Sequence, residues 1–443
     1  MDASPLPAYD TALATLLARV ERIGVQSVHL EEARGRVLRQ AVLADRDQPP
    51  FHRAAMDGFA VRVGQIARGK AYRVAGDLPA GAPSQPAPPD HAVMRIATGA
   101  PVPPWADAVV PVEQAQIFVD EEADHVRFDL DAAAPGMNVH RQGSDIQRGS
   151  IVLHPGTLMG PQHLGIAAAV GAMRLVVSKR PRVTVLTTGD EVVPPDTVAE
   201  DLQPQQIRNS NGPMLVAMLT AMGAPPLSHT HVPDESEETL TAAREALSHS
   251  HLVITAGGVS VGPRDFLPWA WQTLGLTTLL HGVAIQPGKP VFAAGEEAGA
   301  EGISDCGLRI SDLPNRGSLP PNPKSEIRNP KLPCSRLVLG LPGNPVSVLV
   351  TAHLFAWAVV RAMMEIESGL PWRDVPLAEP ARASSKRQIF RAAVLQRDGS
   401  ARVITGQGSG DLMHTAGADG LIRLPRADGQ VAAGTRLPFL ELL

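Results

Sequence analysis

"HLVITAGGVSVG", residues 251–262, is a short apolar run that ends in a glycine-rich loop. An apolar run of this length, bounded by turn residues, is typical of a buried strand. A helical pattern precedes it in "PDESEETLTAAREALSHS", and another follows it in "DFLPWAWQTLG". The same alternation of strands and helices extends from about residue 180 to residue 365. It predicts a doubly wound α/β domain, in which a parallel sheet carries helices on both faces.

Two further strand patterns of this region also end in loops with polar residues. "TTGDE" supplies Glu191, the loop over 255–265 supplies Asp265, and "LPGNPVS" (341–347) leads straight into a helix. Each loop alone is also consistent with an ordinary turn. The carboxyl ends of parallel strands meet at one edge of a sheet, where ligands bind in such folds. Exposed backbone N–H groups and a helix N-terminus at that edge predict a phosphate-binding site.

The segments outside the α/β domain have other patterns. Residues 8–22 have a helical pattern, and residues 26–50 predict a second short helix and a connector. From residue 51 to 145, short apolar runs between prolines and glycines predict a β-rich part. Residues 295–336 are polar and lack periodicity, which predicts a long exposed insert. Residues 372–443 return to short strand patterns and predict a small β barrel or sandwich.

Charge, cysteine content and apolar runs limit the classes of protein to which the chain can belong. The formal net charge of the 443 residues is −5, which argues against a nucleic-acid binder with its usual basic stripe. Cys306 and Cys334 give neither a disulfide framework nor a zinc set, which fits a reducing cytoplasm. The first residues lack the apolar stretch of a signal peptide. The apolar run 346–360 is shorter than a membrane span, so we expect a buried helix and no membrane.

Several single polar residues have two interpretations. Asp57, in "FHRAAMDGFA", precedes a glycine and fits either a turn or a site. Thr98, in "RIATGAPVP", fits a turn, and Asp145, in "NVHRQGSDIQRG", fits a solvated charge. Lys289, in "IQPGKP", is either a surface lysine or a point charge for an anionic substrate. The residues alone leave these alternatives open.

The motifs taken together resemble one family. "FHRAAMDGFAVR", "RIATGAPVP", "NVHRQGSDI", "LTTGDEVV", "IRNSNGPML", "LVITAGGVSVGPRDF", "IQPGKP" and "LPGNPVSVLV" occur in the order found in molybdopterin molybdenumtransferases. These are the molybdenum insertases, which are related to the E domain of gephyrin. Each motif is short, but their common order at fitting spacings is highly specific. The resemblance runs from about residue 8 to the C-terminus and excludes the insert.

The resemblance implies a fold of several parts. An elongated helical and extended part would comprise residues 1–50 and 146–180, and a β-rich part residues 51–145. The molybdopterin-binding α/β part would cover 181–366, and a C-terminal β barrel 367–443. Members of the family form homodimers, with the active site between the α/β part of one subunit and the β-rich part of the other.

The resemblance also implies which residues form the site. The catalytic cleft would be lined by Asp57, Thr98, Asp145, Glu191, Asp234, Asp265 and Lys289. Of these, Glu191 and Asp265 would bind Mg²⁺ beside the substrate phosphates. Contacts to substrate would come from Gly257, Gly258, Ser260, Gly262, Ser210, Asn211, Pro342, Gly343, Asn344, Ser347, Arg382, Arg387 and Ser409.

The implied reaction takes molybdate and adenylylated molybdopterin, inserts molybdenum and releases AMP. The substrate supplies the thiolates that bind molybdenum, so no cysteine of the protein is needed. Molybdopterin adenylyltransferase and molybdoenzyme acceptors are possible protein partners. This chain departs from many members at Gln286, where they have a lysine, at Asn209, where they have an acid, and at the insert.

Two other functions compete with this reading. A molybdopterin adenylyltransferase would share the α/β part, but it resembles that part alone. A non-catalytic carrier or scaffold for the cofactor is the second alternative. Retention of the charged residues Asp57, Glu191, Asp265 and Lys289 favours catalysis.

Overall fold

We describe a computed structural model of the chain over residues 5–120, 123–130, 133–259, 265–296, 336–366 and 369–443. The chain divides into two compact units. The large unit comprises Met1–Gln26, Gly35–Val37 and Val177–Leu443, and the small unit comprises Ser27–Arg34 and Leu38–Val176. Both cysteines, and all of the predicted insert except its outermost residues, lie outside the described residues.

The N-terminal segment is less helical than its sequence predicts. Helix α1 (Tyr9–Leu17) confirms the helical pattern and buries Tyr9, Ala12 and Leu16. The prediction of a second short helix within 26–50 is wrong, because the helical structure of that segment is limited to a 3-10 turn at Leu30–Ala33. Gly35 follows this turn with a φ of +73° and ends it after a few residues.

The regular structure of residues 25–178 is mostly β-strand. They are β1 (Val25–His29), β2 (Val42–Leu43), β3 (Arg53–Ala54), β4 (Gly58–Val61), β5 (Ala71–Leu78), β6 (Ala92–Ile96), β7 (Ala108–Pro111), β8 (Ala115–Asp120), β9 (Ala123–Phe128), β10 (Val139–His140), β11 (Ile151–Leu153) and, after α2 (Pro161–Ala169), β12 (Arg174–Ser178). A six-stranded sheet has the order β7-β4-β6-β5-β9-β8. Phe59, Tyr72 and Phe128 fill the core on one face, while Ala60, Met94 and Ile96 pack on the other.

The large unit contains the predicted α/β domain. Its elements are β13 (Val183–Thr188), β14 (Val192–Val193), β15 (Ile207–Arg208), α3 (Asn211–Ala221), β16 (Ser228–Val232), α4 (Ser236–His249), β17 (Leu252–Ala256), α5 (Leu267–Thr273), β18 (Thr277–His281), β19 (Ile285–Gln286), β20 (Phe292–Gly295), β21 (Leu337–Leu341), α6 (Pro345–Thr351) and α7 (Trp357–Met363). The sheet order is β16-β13-β17-β21-β20-β18. Strands β16, β13, β17 and β21 are parallel as predicted.

One strand of this sheet corrects the prediction of an all-parallel sheet. Strand β20 runs antiparallel to both of its neighbours, β18 and β21. Only residues 282–291 separate β18 from β20, and this segment holds no helix. A parallel crossover needs a dozen or more residues, usually with a helix, so the chain reverses direction here.

Helices cover both faces of the sheet, as the doubly wound prediction requires. Successive strand residues such as Val253 and Ile254 belong to different hydrophobic cores, because their side chains point to opposite faces of the sheet. The helix Pro345–Met363, with a π-helical turn at its centre, is long and apolar enough by length and composition alone to cross a membrane. It is 89% buried, which is typical of the core helix of a soluble protein.

The C-terminal segment forms a second sheet in the large unit. Its strands are β22 (Arg373–Pro376), β23 (Ala381–Arg382), β24 (Gln388–Leu395), β25 (Ala401–Val403), β26 (Gly420–Leu424), β27 (Gln430–Val431) and β28 (Arg436–Glu441). The sheet order is β19-β24-β26-β28-β22, and β25 pairs with β24. Strand β19 therefore joins the segment that carries Lys289 to this sheet.

Candidate functional site

A cavity of about 1230 Å³ lies in the large unit, beyond the carboxyl ends of β13, β17 and β21. These strands are consecutive neighbours in the sheet and end within one residue of one another: Thr187, one residue before the end of β13, pairs with Ala256, and Ala256 pairs with Leu341. The three predicted loops therefore start side by side. This confirms the prediction that they meet at one edge of the sheet.

Close backbone packing between the loops explains their glycines. Gly257 has a φ of +94°, and a Cβ there would lie 2.8 Å from Thr188 Oγ1 and 2.9 Å from the Thr188 backbone oxygen. The Gly257 N–H donates to the Leu341 carbonyl at 3.2 Å. A Cβ on Gly343 would lie 3.6 Å from the Gly257 Cα, so the second and third loops also touch. A larger residue at 257 would force the loops apart.

Carboxylates form one wall of the cavity. Glu191, Asp234 and Asp265 line it, and the Asp234 N–H donates to Asp190 Oδ1 at 3.0 Å. Burial raises the pKa of Asp234, and the negative charges of Asp190, Glu191 and Asp265 raise it further. A wall whose acids repel one another in this way favours a cation or a proton among them.

The N-terminus of α3 is tied to two of the strand ends. The buried Asn209 side chain donates from Nδ2 to Thr187 Oγ1 at 2.9 Å and accepts from the Gly212 N–H at 2.9 Å. A carboxylate could not donate that first bond, so the amide suits this position. Asn211 Nδ2 donates to the Gly343 carbonyl at 2.7 Å, and its Oδ1 is buried without a partner among the described residues.

The loop after β21 is held by the C-terminal segment. Asn344 Nδ2 donates to Ser409 Oγ at 2.9 Å, and the Val346 N–H donates to the Ser409 carbonyl at 3.0 Å. Asp411 accepts from the Gln407 N–H at 3.0 Å, and this bond contributes most to lowering the pKa of Asp411. The glycine-rich loop that carries Ser409 is thereby fixed against the cavity.

Cations line the cavity near the C-terminal sheet. They are Lys289 on the segment after β19, Arg387 just before β24, and Arg391 on β24. Over the described ranges, the structure gives none of the three an ion pair or a hydrogen bond from its side chain. The cavity therefore combines carboxylates with uncompensated positive charge, an arrangement suited to a ligand that carries both anionic groups and a bound cation.

Asp57 and Thr98 lie together in the small unit. Asp57 Oδ1 accepts from the Thr98 N–H at 2.7 Å and from Thr98 Oγ1 at 2.9 Å. The backbone bond, followed by the hydroxyl bond, lowers the pKa of Asp57, so its exposed carboxylate stays ionised. Asp57 also borders a smaller cavity of about 240 Å³ beside Phe59 and Ile96.

Comparisons with known proteins cover nearly the whole chain. Family models match the MoeA N-terminal region (domain I and II) at residues 8–171, a probable molybdopterin binding domain at 184–362, and the MoeA C-terminal region (domain IV) at 374–442. The chain is 33% identical over 445 residues to the molybdopterin molybdenumtransferase of Synechococcus elongatus, covering 98% of this chain and 99% of that relative. The chain belongs to the MoeA family of molybdopterin molybdenumtransferases.

Another relative agrees with this assignment, and a solved structure shares the fold. Molybdopterin molybdenumtransferase 2 of Mycobacterium tuberculosis is 32% identical over 428 residues, 94% of this chain and 95% of the relative. The crystal structure of the molybdopterin biosynthesis moeA protein from Pyrococcus horikoshii OT3 matches with a TM-score of 0.75 and 24% identity, over 98% of this chain and 100% of that one. This likeness confirms a multidomain fold with mixed α/β and sheet-rich parts.

The residues that the MoeA resemblance implies are distributed over both units. The cavity of the large unit is lined by Glu191, Asp234, Asp265, Lys289, Gly257, Gly258, Ser210, Asn211, Pro342, Gly343, Asn344, Ser347, Arg387 and Ser409. The small unit contains Asp57, Thr98 and Asp145, and Asp145 lies 3.9 Å from Arg53 in an exposed ion pair. Arg382, on β23, does not line the cavity, and Ser260 and Gly262 lie outside the described residues.

Sequence reasoning missed some residues of the cavity wall. Arg391 and His414 line it, and neither belongs to a motif of the MoeA resemblance quoted above. Arg391 follows Arg387 by four positions, and positions an even number apart on an extended chain share a face. That spacing was a usable signal for Arg391. His414 lies in a short 3-10 turn (Met413–Thr415), where no periodicity could have identified it.

Proposed function

We propose that this chain is a molybdopterin molybdenumtransferase. It inserts molybdenum from molybdate into adenylylated molybdopterin and releases AMP and molybdenum-molybdopterin. The observation that supports this most strongly is the cavity at the ends of β13, β17 and β21, lined by carboxylates and by cations that have no ion-pair partner among the described residues. The substrates are themselves anions, one a tetrahedral oxyanion and the other a phosphoanhydride.

The proposed contacts follow from the donors that line the cavity. The loops at Gly257 and Gly343 would bind phosphate oxygens through backbone N–H groups other than that of Gly257, which already donates to Leu341, together with the helix that begins at Pro345. Lys289 and Arg387 would bind the anionic groups as charge-assisted donors. The remaining substrate contacts would come from Gly258, Ser260, Gly262, Ser210, Asn211, Pro342, Asn344, Ser347 and Ser409.

Magnesium dependence is part of the proposal. Burial first, and then the negative charges of the neighbouring carboxylates, raise the pKa of Asp234, and this donor set fits a hard divalent cation. No group of three or more candidate metal ligands occurs within the described part of the chain. Mg²⁺ typically binds through one or two carboxylates plus substrate phosphates, so Glu191 and Asp265 would suffice. When bound, it would neutralise charge on the phosphoanhydride.

We further propose a homodimer in which the partner's Asp57, Thr98 and Asp145 complete the site. Support comes from the ionised, exposed Asp57 carboxylate, which Thr98 holds in one orientation. Mixed dimers test this directly. Asp57→Ala and Asp265→Ala subunits should each be inactive alone, and random mixing in equal amounts should restore about a quarter of the sites, because half of the dimers are mixed and each mixed dimer has one intact site. No recovery on mixing would rule out a shared site.

The finer architecture and cellular setting belong to the same proposal. The C-terminal strands close into a barrel, residues 1–50 and 146–180 form an elongated part, and the domain boundaries are those that the resemblance implies. The enzyme is cytoplasmic and makes transient contacts with the molybdopterin adenylyltransferase and with molybdoenzyme acceptors. Arg382 is proposed to reach substrate only if β23 moves, since this residue does not line the cavity.

The experiment that tests the function is AMP release from adenylylated molybdopterin by the purified protein, with and without molybdate and Mg²⁺. Release that requires molybdate supports the insertase. Release without molybdate would indicate hydrolysis alone, and tight binding without release would indicate a carrier or scaffold. The adenylyltransferase alternative is not favoured, because the relatives match the flanking regions as well as the α/β part.

A further inference from the structure

Asp411 and His414 form a carboxylate–imidazole pair on the wall of the cavity. Both residues line the cavity, and both follow Ser409 in the glycine-rich loop of the C-terminal segment. His414 Nδ1 lies 3.4 Å from Asp411 Oδ2, and the two side chains are 16% and 30% exposed. Protein therefore encloses most of the pair, while the pair still borders the space that a substrate would occupy.

Gly406 and Asp411 fix the imidazole from two sides. A Cβ on Gly406 would lie 2.5 Å from Cε1 of His414, so the glycine leaves the space that the ring occupies. The Gln407 N–H donates to Asp411 Oδ2 at 3.0 Å and contributes most to lowering the pKa of Asp411, to which His414 also contributes. Nδ1 of His414 is buried without a hydrogen bond among the described residues, so the ionised carboxylate acts on the ring through charge.

His414 is the group of the cavity wall best suited to give up a proton. Imidazole is the side chain whose charge changes near neutral pH, and His414 is the one histidine among the described residues that line the cavity. Lysine and arginine side chains hold their protons at that pH. Besides Asp411, the charged residues that line the cavity are Lys289, Arg387, Arg391, Glu191, Asp234 and Asp265.

We propose that His414 is the general acid of molybdenum insertion and that Asp411 is its positioning residue. This inference rests on the proposed function and adds a catalytic residue to it. Each Mo–S bond that forms on molybdate requires one Mo–O bond to break, and oxide is a poor leaving group. One thiol of adenylylated molybdopterin attacks molybdenum, and the thiol proton and the imidazolium proton leave with the oxygen as water. Molybdenum keeps its oxidation state and neutral imidazole remains, so the step needs neither an oxidant nor a reductant.

The test is the pH dependence of molybdenum incorporation in single turnovers at saturating substrates. Because the protonated imidazole is the active form, the wild-type rate should fall as the pH rises through about 5 to 8, where imidazoles titrate. His414→Gln should lower the rate at the acidic end about a hundredfold, a typical contribution of a general acid, and remove this fall. Asp411→Asn should move the fall to lower pH, because the imidazolium then lacks its negative neighbour. Both variants should bind adenylylated molybdopterin as wild type does.

Two further variants separate acid chemistry from loop structure. His249→Gln is the matched control, because His249 is exposed at the end of α4 and does not line the cavity. Its pH profile should match that of wild type. Added imidazole should restore part of the rate to His414→Ala, which keeps a space beside Gly406, but none to Asp265→Ala.

A His414→Gln profile parallel to that of an active wild type would overturn the acid role alone. A lost rate that accompanies weaker binding of adenylylated molybdopterin, and that imidazole does not recover, would also overturn it by assigning His414 to the loop structure. Wild type that incorporates no molybdenum at any pH would instead refute the insertase function, and the acid role with it.

Discussion

Replacing Gly257 by alanine tests whether close packing of the strand-end loops builds the cavity. The substitution forces a left-handed φ of +94° on a residue with a Cβ, at a cost of about 1–2 kcal/mol. It also drives the Cβ to within 2.9 Å of the Thr188 carbonyl, and such overlap costs about 1–3 kcal/mol. Alanine also reduces the conformational entropy of the unfolded chain, which offsets a small part of this cost, so the net loss in the free energy of unfolding is about 2–4 kcal/mol.

Gly275→Ala separates the two contributions. Gly275 has a φ of +83°, but a Cβ there would meet no atom within 4 Å. This control should lose about 1 kcal/mol, from backbone strain alone. Hydrogen exchange of the β17 amides reports the local opening free energy in both variants. AMP release should fall only in Gly257→Ala, since only that change displaces the loop from the cavity. Equal effects of the two substitutions on exchange would refute the packing argument.

Three further predictions concern titrating groups. The raised pKa of Asp234 makes its ionised form costly in the folded chain, so Asp234→Asn should raise the thermal midpoint at pH 7 and lose this advantage below pH 3.8. Thr98→Val removes one hydrogen bond to Asp57, so a carbon-13 NMR titration should find a higher pKa for that carboxyl than in wild type. The variant should also lose less stability than wild type as the pH falls through that pKa. An unmoved pKa would contradict this. Burial lowers the pKa of His353 to about 4, so this histidine stays neutral in the folded chain while the unfolded chain is protonated there as the pH falls from 6.5 to about 4. Stability is therefore lost over that range. The midpoint of His353→Gln should therefore fall less over that range than that of wild type, and parallel curves would exclude this origin.

The sequence predicted the edge of the α/β sheet well, because the signals there are local. Apolar runs that end in glycine mark strands and the loops that follow them, and helix-connected strands must run parallel. Those rules bring the loops after β13, β17 and β21 together, as the structure shows. The direction of β20 was predicted wrongly, although the short segment before it carries no helical pattern, which indicates that the chain reverses direction there.

The cationic wall was less predictable, since it depends on register. Arg382, Arg387 and Arg391 are the same residue type and lie close together in sequence, so the sequence alone does not show which of them face the cavity. Pairing of β23 with β27 keeps Arg382 off the cavity, whereas β24 pairs with β19 and brings the other two to the cavity wall. Such long-range pairing is not encoded in any short window of sequence, which is why the expected site included Arg382 and omitted Arg391.

The most direct measurement is the ratio of molybdenum incorporated to AMP released in a single turnover. Purified protein would react with adenylylated molybdopterin, molybdate and Mg²⁺, and both products would be quantified in the same sample. We expect molybdenum bound to molybdopterin and free AMP to appear together in equal amounts, and neither to appear with Asp265→Ala. AMP without incorporated molybdenum, or bound substrate that yields neither product, would contradict the assignment of this cavity as a molybdenum-inserting site.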